Sequence, residues 1–263
     1  MYFDTHAHYD DKSFREDRGA LLGADLAAAG VSRVINVGAD MRSSAASVKL
    51  AHDYPYILAT VGVHPHYVKH MVDDDLNLLL KMSKDAKVVA VGEIGLDFYR
   101  DLSPRDVQRR RFLDQLELAK AAKLPVVIHS RSAGDEVYNI LREHASALVG
   151  GVIHCFGDGP DMALAYAKLG FFVAFGGAIT FPKAAETVRA AQALPMEHML
   201  LETDCPYIAP VPIRGQRNDS RALAYICQKM AEIKALSHDE CARITHENAV
   251  RFCQLGGKFA VDN

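Results

Sequence analysis

Eight short apolar runs, each followed by a longer amphipathic stretch, constrain this chain more than any other feature. They are Tyr2–His8, Arg33–Gly38, Ile57–His64, Val88–Asp97, Pro125–Ser130, Gly151–Phe156, Phe171–Gly177 and Met199–Asp204. KVVAVGEIG, LPVVIH and GGVIHCF are continuous apolar segments, the pattern of parallel strands covered on both faces. The intervening stretches read as helices. One spans Arg15–Ala29 and stops at Gly30. Another is capped by Ser103, starts with Pro104 at its first position and runs to Ala122. Pro160–Leu169 ends at Gly170, a helix covers Ser220–Lys234, and Ser237–Leu255 reads as one or two more. This alternation predicts an α/β fold, a TIM-type (β/α)8 barrel with extra C-terminal helices, as one domain over residues 1–263. A doubly wound sheet would carry a glycine-rich loop after its first strand, where this chain has DTHAH.

The chemistry sits at the ends of these runs. His6 and His8 are two residues apart, so they share a strand face. His64, His129, His154 and Asp204 close the third, fifth, sixth and eighth runs, and Glu93 lies on the fourth. A TIM barrel builds its site from this end of several strands. A lone histidine in such a place is most often a hydrogen-bonded structural residue. The joint set is different, because buried ionised groups need a partner or a metal. Six candidate ligands (His6, His8, Glu93, His129, His154, Asp204) exceed the four of a structural zinc site. They fit two divalent ions, with Glu93 able to bridge, and their mixed nitrogen and oxygen donors admit Mg2+, Zn2+, Mn2+ or Co2+.

Composition limits the partners. Lys and Arg total 30 against 33 Asp and Glu, a net charge of −3, which argues against a broad basic face for nucleic acid. Five scattered cysteines without a CxxC pair argue against a disulfide framework or zinc ribbon. The start, MYFDTHAHYDD, lacks the regions of a signal peptide, and the longest apolar stretch, Phe171–Ile179, is too short to span a membrane. The expectation is a soluble, cytoplasmic protein that does not enter membranes; a monomer is favoured, with the oligomeric state left open by the sequence.

Several motifs together resemble a known family: FDTHAHYD (3–10), GVHPH (62–66), VGEIGLDFYR (91–100), PVVIHSRSA (125–133), GGVIHCF (150–156), LLETDCPYIAP (200–210) and RGQRN (214–218). The family is that of the TatD-type metal-dependent deoxyribonucleases, within the amidohydrolase superfamily. The resemblance implies a two-metal hydrolase of phosphodiester bonds in DNA, typically at 3′ ends and on single strands. It implies one metal on His6, His8, Glu93 and Asp204 and a second on Glu93, His129 and His154. Asp204 stands where the superfamily's aspartate handles the proton of the attacking water, and His64 where a histidine contacts the scissile phosphate. Arg131 can grip a phosphate oxygen. Tyr99 and Arg214 are further candidate substrate contacts. Ser132 stands where the family often has aspartate, and Ser220 where it often has proline.

The remaining signals are weaker. Cys155 and Cys205 read as small structural residues, and the RDVQRRR run (105–111) as a solvated helix face. Tyr99, Phe181 and Tyr207 follow strands at the expected mouth, where aromatics either stack bases or pack loops. The same scaffold suits hydrolysis of another ester, lactone, amide or aminoacyl-RNA, and a metal-binding scaffold without activity is the third reading.

Overall fold

The structure is a computed structural model that describes residues 1–257 and Phe259; the rest of the expected 1–263 span lies outside the described residues. Its strands are β1 (Tyr2–Ala7), β2 (Val31–Asn36), β3 (Ile57–Val61), β4 (Val88–Asp97), β5 (Val126–Arg131), β6 (Gly151–Ile153), β7 (Phe172–Phe175) and β8 (Met199–Leu201). Each pairs in parallel with the next in chain order. The ring closes at its upper end, where Ala7 bridges Cys205 and the His8 amide donates to the Cys205 carbonyl at 2.8 Å. This is the expected TIM-type barrel.

The helices are α1 (18–28), α2 (Met41–Asp53), α3 (Asp73–Met82), α4 (Arg105–Ala122), α5 (Gly134–His144), α6 (Pro160–Lys168), α7 (Ala185–Ala193), α8 (Leu223–Lys234) and α9 (His238–Gln254). Helix α1 starts three residues later than its apolar stripe suggests, and its middle, Leu21–Asp25, is π-helical. Gly19 and Gly23 weaken the α-helical preference there. Ser103 does not cap α4: the cap residue is Pro104, and the Ser103 hydroxyl instead donates to the His66 carbonyl at 3.1 Å. Because α8 completes the eighth βα unit, α9 is the single extra C-terminal helix. Among the described residues no helix is long and apolar enough to cross a membrane.

Two apolar layers position the site. One lies between the strands and the outer helices. The other fills the barrel with Phe3, Ile35, Leu58, Val127, Phe172 and Leu200, and α9 adds Ala249, Phe252 and Cys253 to it from below. Asn248 of α9 donates to the carbonyls of Met196 and Met199 at the start of β8, at 2.6 and 2.8 Å. The lower end is thus plugged, which leaves polar residues only the upper end.

Several strands are shorter than their apolar runs. β3, β6 and β8 stop at Val61, Ile153 and Leu201, so His64, His154 and Asp204 sit on turns rather than in strands. For β6 and β8 a physical reason is visible just beyond the strands: Cys155 (φ 46°) and Asp204 (φ 53°) have left-handed backbone, which cannot continue a ladder and costs ~1–3 kcal/mol per residue. One-residue bulges aim two more side chains. From Asp4 to Ala7, β1 advances three residues against two on β2. From Val91 to Ile94, β4 advances three against two on β5. The extra residue turns His6 and Glu93 toward the axis. Gly95 (φ 141°) is required beside the second bulge, since a Cβ there would lie 2.0 Å from the His129 carbonyl oxygen.

Truncating the plug should therefore loosen the whole barrel. Phe252→Ala is expected to cost ~3–5 kcal/mol in chemical denaturation. Arg243→Ala on the exposed face of α9 should change stability by less than ~1 kcal/mol.

Candidate metal centre

All six sequence-predicted ligands meet at the upper end of the barrel. The Nε2 atoms of His6 and His8 are 3.1 Å apart. Asp204 Oδ1 lies 3.8 Å from His6 Nε2 and 3.5 Å from His8 Nε2. Glu93 Oε2 faces this group, 3.5 Å from His6 Nε2. Glu93 Oε1 faces a second group: His154 Nε2 at 2.7 Å, His129 Nδ1 at 2.8 Å and His64 Nε2 at 3.4 Å. His129 Nδ1 and His154 Nε2 are 3.4 Å apart.

These separations suit a cation. Atoms bound to one ion at ~2.1 Å stand about 3.0 Å apart in an octahedron and about 3.4 Å in a tetrahedron. Tautomers agree. A carbonyl only accepts, so His8 Nδ1 donates to the Val37 carbonyl at 3.0 Å and leaves the Nε2 lone pair aimed into the site. His129 Nε2 donates to Asp97 Oδ2 at 3.1 Å, which leaves Nδ1 facing Glu93. Donor groups formed by His6, His8 and Glu93, by His64, Glu93 and His129, and by His6, His154 and Glu202 each gather within 4.8 Å.

Without cations, protons take up part of this charge. Burial would strip them from His8, yet the Asp204 hydrogen bond and charge push its pKa up to about 9. Burial likewise opposes His154, but the Glu93 and Glu202 charges raise it well above the usual range. Burial would raise Glu93, but the surrounding imidazoles hold it well below the usual carboxylate range. His64 goes the other way: burial pushes it down to about 4, so it stays neutral.

Several functional neighbours are not among the residues picked from sequence. Asp97 is buried; Oδ2 accepts from His129 and from His66 (2.8 Å), while Oδ1 accepts from the amides of Tyr99 and Arg100. Glu202 accepts from the Cys155 amide at 2.5 Å and stands 3.4 Å from His154 Nδ1. Asp4 accepts from the Thr203 amide, the Thr203 hydroxyl and the Ser220 hydroxyl (3.0, 2.6 and 2.6 Å). Nearness in sequence was the available signal: His66 follows His64 by two, and Glu202 precedes Asp204 by two.

The rim residues separate into two kinds. The Arg131 guanidinium lies over the Tyr99 ring at 4.4 Å, and that of Arg214 over the Phe181 ring at 4.3 Å. Tyr207 is exposed, its ring 6.2 Å from that of His8. Arg217, in contrast, is a clamp: it donates to the Ser13 carbonyl and the Asp17 carboxylate. The 105–111 run is not wholly a solvated face, because Arg111 is buried and bridges Asp73, Asp114 and the Met71 carbonyl. Ser220 is buried between Tyr9 and Asp4, whereas Ser132 is exposed with left-handed backbone (φ 52°). Burial pushes the Cys155 thiol up to about 12, which disfavours the thiolate a nucleophile needs.

The sequence model of the TatD-related DNases covers residues 3–254. The chain belongs to the TatD-related DNase family. It is 36% identical over 255 residues to YabD, an uncharacterized metal-dependent hydrolase of Bacillus subtilis, covering 97% of this chain and all of that one. A second relative, the uncharacterized metal-dependent hydrolase TatD of Mycobacterium tuberculosis, is 34% identical and covers 96% of this chain and 98% of its own. The crystal structure of YjjV, a TatD homologue of Escherichia coli, superposes with a TM-score of 0.89 at 33% identity, covering 95% of this chain and 97% of that one. The TatD-family chain is therefore a metal-dependent hydrolase.

Asp97 supplies a test of the site. Asp97→Asn keeps the size but loses a charged acceptor for His129, and divalent-cation binding is expected to weaken by roughly 10–100-fold in calorimetric titration.

Proposed function

We propose that this protein hydrolyses phosphodiester bonds of DNA with two divalent cations, working from the 3′ ends of unpaired strands. One observation carries the reading: the two oxygens of Glu93 face two different donor groups, His6 with its neighbours His8 and Asp204 on one side, His129 and His154 on the other. A carboxylate so placed can be shared by two ions. When bound, two such cations lower the pKa of water and offset charge on the phosphoryl oxygens. Mg2+, Zn2+ and Mn2+ all suit the donors.

The chain's own groups do the rest. Asp204 Oδ1 lies 3.5 Å from His8 Nε2, and positive charge gathered there holds the carboxylate ionised against its burial, so it can take the proton of the attacking water. His64, neutral and buried beside Glu93, can donate one N–H to the phosphate. Arg131 presents a planar guanidinium, steadied on Tyr99, that can meet a phosphate oxygen. Tyr99, and Arg214 on Phe181, offer surfaces on which an unpaired base can lie. The family description and the metal-dependent relatives support the reaction class; the strand end and the preference for single strands rest on the family resemblance and these rim residues.

The decisive assay uses single-stranded oligonucleotides labelled at either end. EDTA should abolish hydrolysis and a divalent metal restore it. Glu93→Ala should lower the rate by at least ~10²-fold. Full activity in that variant, or two bound cations with no turnover on DNA, would refute the proposal. His64→Gln should slow hydrolysis while both cations still bind; loss of a cation would make His64 a ligand instead.

A further inference from the structure

A groove leaves the rim beside the metal centre and runs down the outside of the barrel between the segment after β1 and helix α2. Arg42, Ala46, Lys49 and Asp53 recur every three or four residues, so one face of α2 lines it along a helix of 13 residues, ~20 Å. The opposite wall carries Lys12, Arg15 and Arg18. Asp11 joins this groove to the site, because it lies three residues past His8 and its carboxylate accepts from the Tyr207 hydroxyl at 3.5 Å.

The charges in this groove are not alike in their commitments. Each carboxylate is already engaged. Asp10 accepts from the Asn36 amide, Asp11 from the Ser13 backbone and Asp40 from the Ser43 backbone, and Asp53 pairs with Lys49 at 2.6 Å. Arg18 donates to the Asp10 and Asp11 carbonyls. The Arg15 and Arg42 side chains are exposed, and neither guanidinium has a hydrogen bond or an ion pair among the described residues. The lining holds five cationic side chains against four carboxylates, a slight local cationic excess on a chain that carries −3, and the two uncommitted guanidinium groups are the ones free to meet an anion.

We propose that this groove holds the phosphates of an unpaired nucleic-acid strand whose end lies at the metal centre, with Arg15 and Arg42 as the contacts. The inference rests on the nuclease reading for its choice of ligand. The groove gives a long substrate contacts that a short one cannot reach, so its effect grows with strand length. Guanidinium groups held in a fork suit phosphate oxygens, and such contacts are salt-dependent.

The test compares wild type with Arg15→Gln/Arg42→Gln, using fluorescein-labelled single strands of 3 and 12 nucleotides in EDTA, followed by anisotropy, and then hydrolysis of both in divalent metal. Both residues are exposed and unpaired, so the unfolding midpoint should not move. The variant should bind the 12-mer about tenfold more weakly, with the slope of log Kd against log salt smaller by about 1.4, and bind the 3-mer as wild type does. Equal binding of the 12-mer by both proteins, equal weakening for the 3-mer, or no 12-mer binding by wild type overturns the groove. Tighter binding of a 12-base-pair duplex or of polyglutamate overturns the choice of partner. Groove-dependent binding without hydrolysis refutes the nuclease reading alone; hydrolysis of both lengths with the same KM in both proteins refutes the groove alone.

Discussion

Glu93 places a carboxylate near the barrel axis with its side chain only 4% exposed, within 3.5 Å of imidazole nitrogens from His6, His64, His129 and His154. An isolated carboxylate in such a place would be untenable, because desolvating it costs far more than folding can spare. It persists because positive charge surrounds it, as protons on imidazoles or as metal. The rest of the upper barrel follows from that requirement. A bulge must turn Glu93 inward, glycine must stand at 95 to let β4 pass β5, and four strands must end where their histidines reach it.

Around this charge the chain builds supports that are themselves held. Asp97 fixes His129 and His66, and its own backbone is held by Gln108 of α4, which accepts from the Asp97 amide and donates to the Asp97 and Ser103 carbonyls. One turn pair further along the same helix, Gln115 accepts from the Val63 amide and donates to its carbonyl, next to His64. Helix α4 thus turns a buried polar stripe toward the strands, which explains why its sequence is weakly amphipathic. Asp4, Thr203, Ser220 and Tyr9 form the equivalent support where β1 meets β8, and Ser220 supplies a hydroxyl that proline could not.

The barrel was legible because strand spacing and apolar runs are local properties, and the donor residues were legible because they end those runs. The strands end before His64, His154 and Asp204, and β-propensity does not report the left-handed backbone at Cys155 and Asp204 that turns the chain beyond β6 and β8. Asp97, Glu202 and His66 were missed although they lie two or four residues from a named donor, because their role depends on which imidazole nitrogen they meet across the barrel. The place of α9 was likewise not legible: its stripe shows that one face is covered, and only the folded chain shows that it covers the bottom of the barrel. The net charge of −3 speaks to the whole surface and not to local placement, such as that of Arg131 and Arg214 over aromatic rings at the rim.

Whether two cations share Glu93 can be read from anomalous diffraction of crystals grown with Mn2+ or Zn2+. Two peaks are expected, one among His6, His8 and Asp204 and one between His129 and His154, with a Glu93 oxygen on each. A single peak, or metal bound away from Glu93, would refute the shared carboxylate.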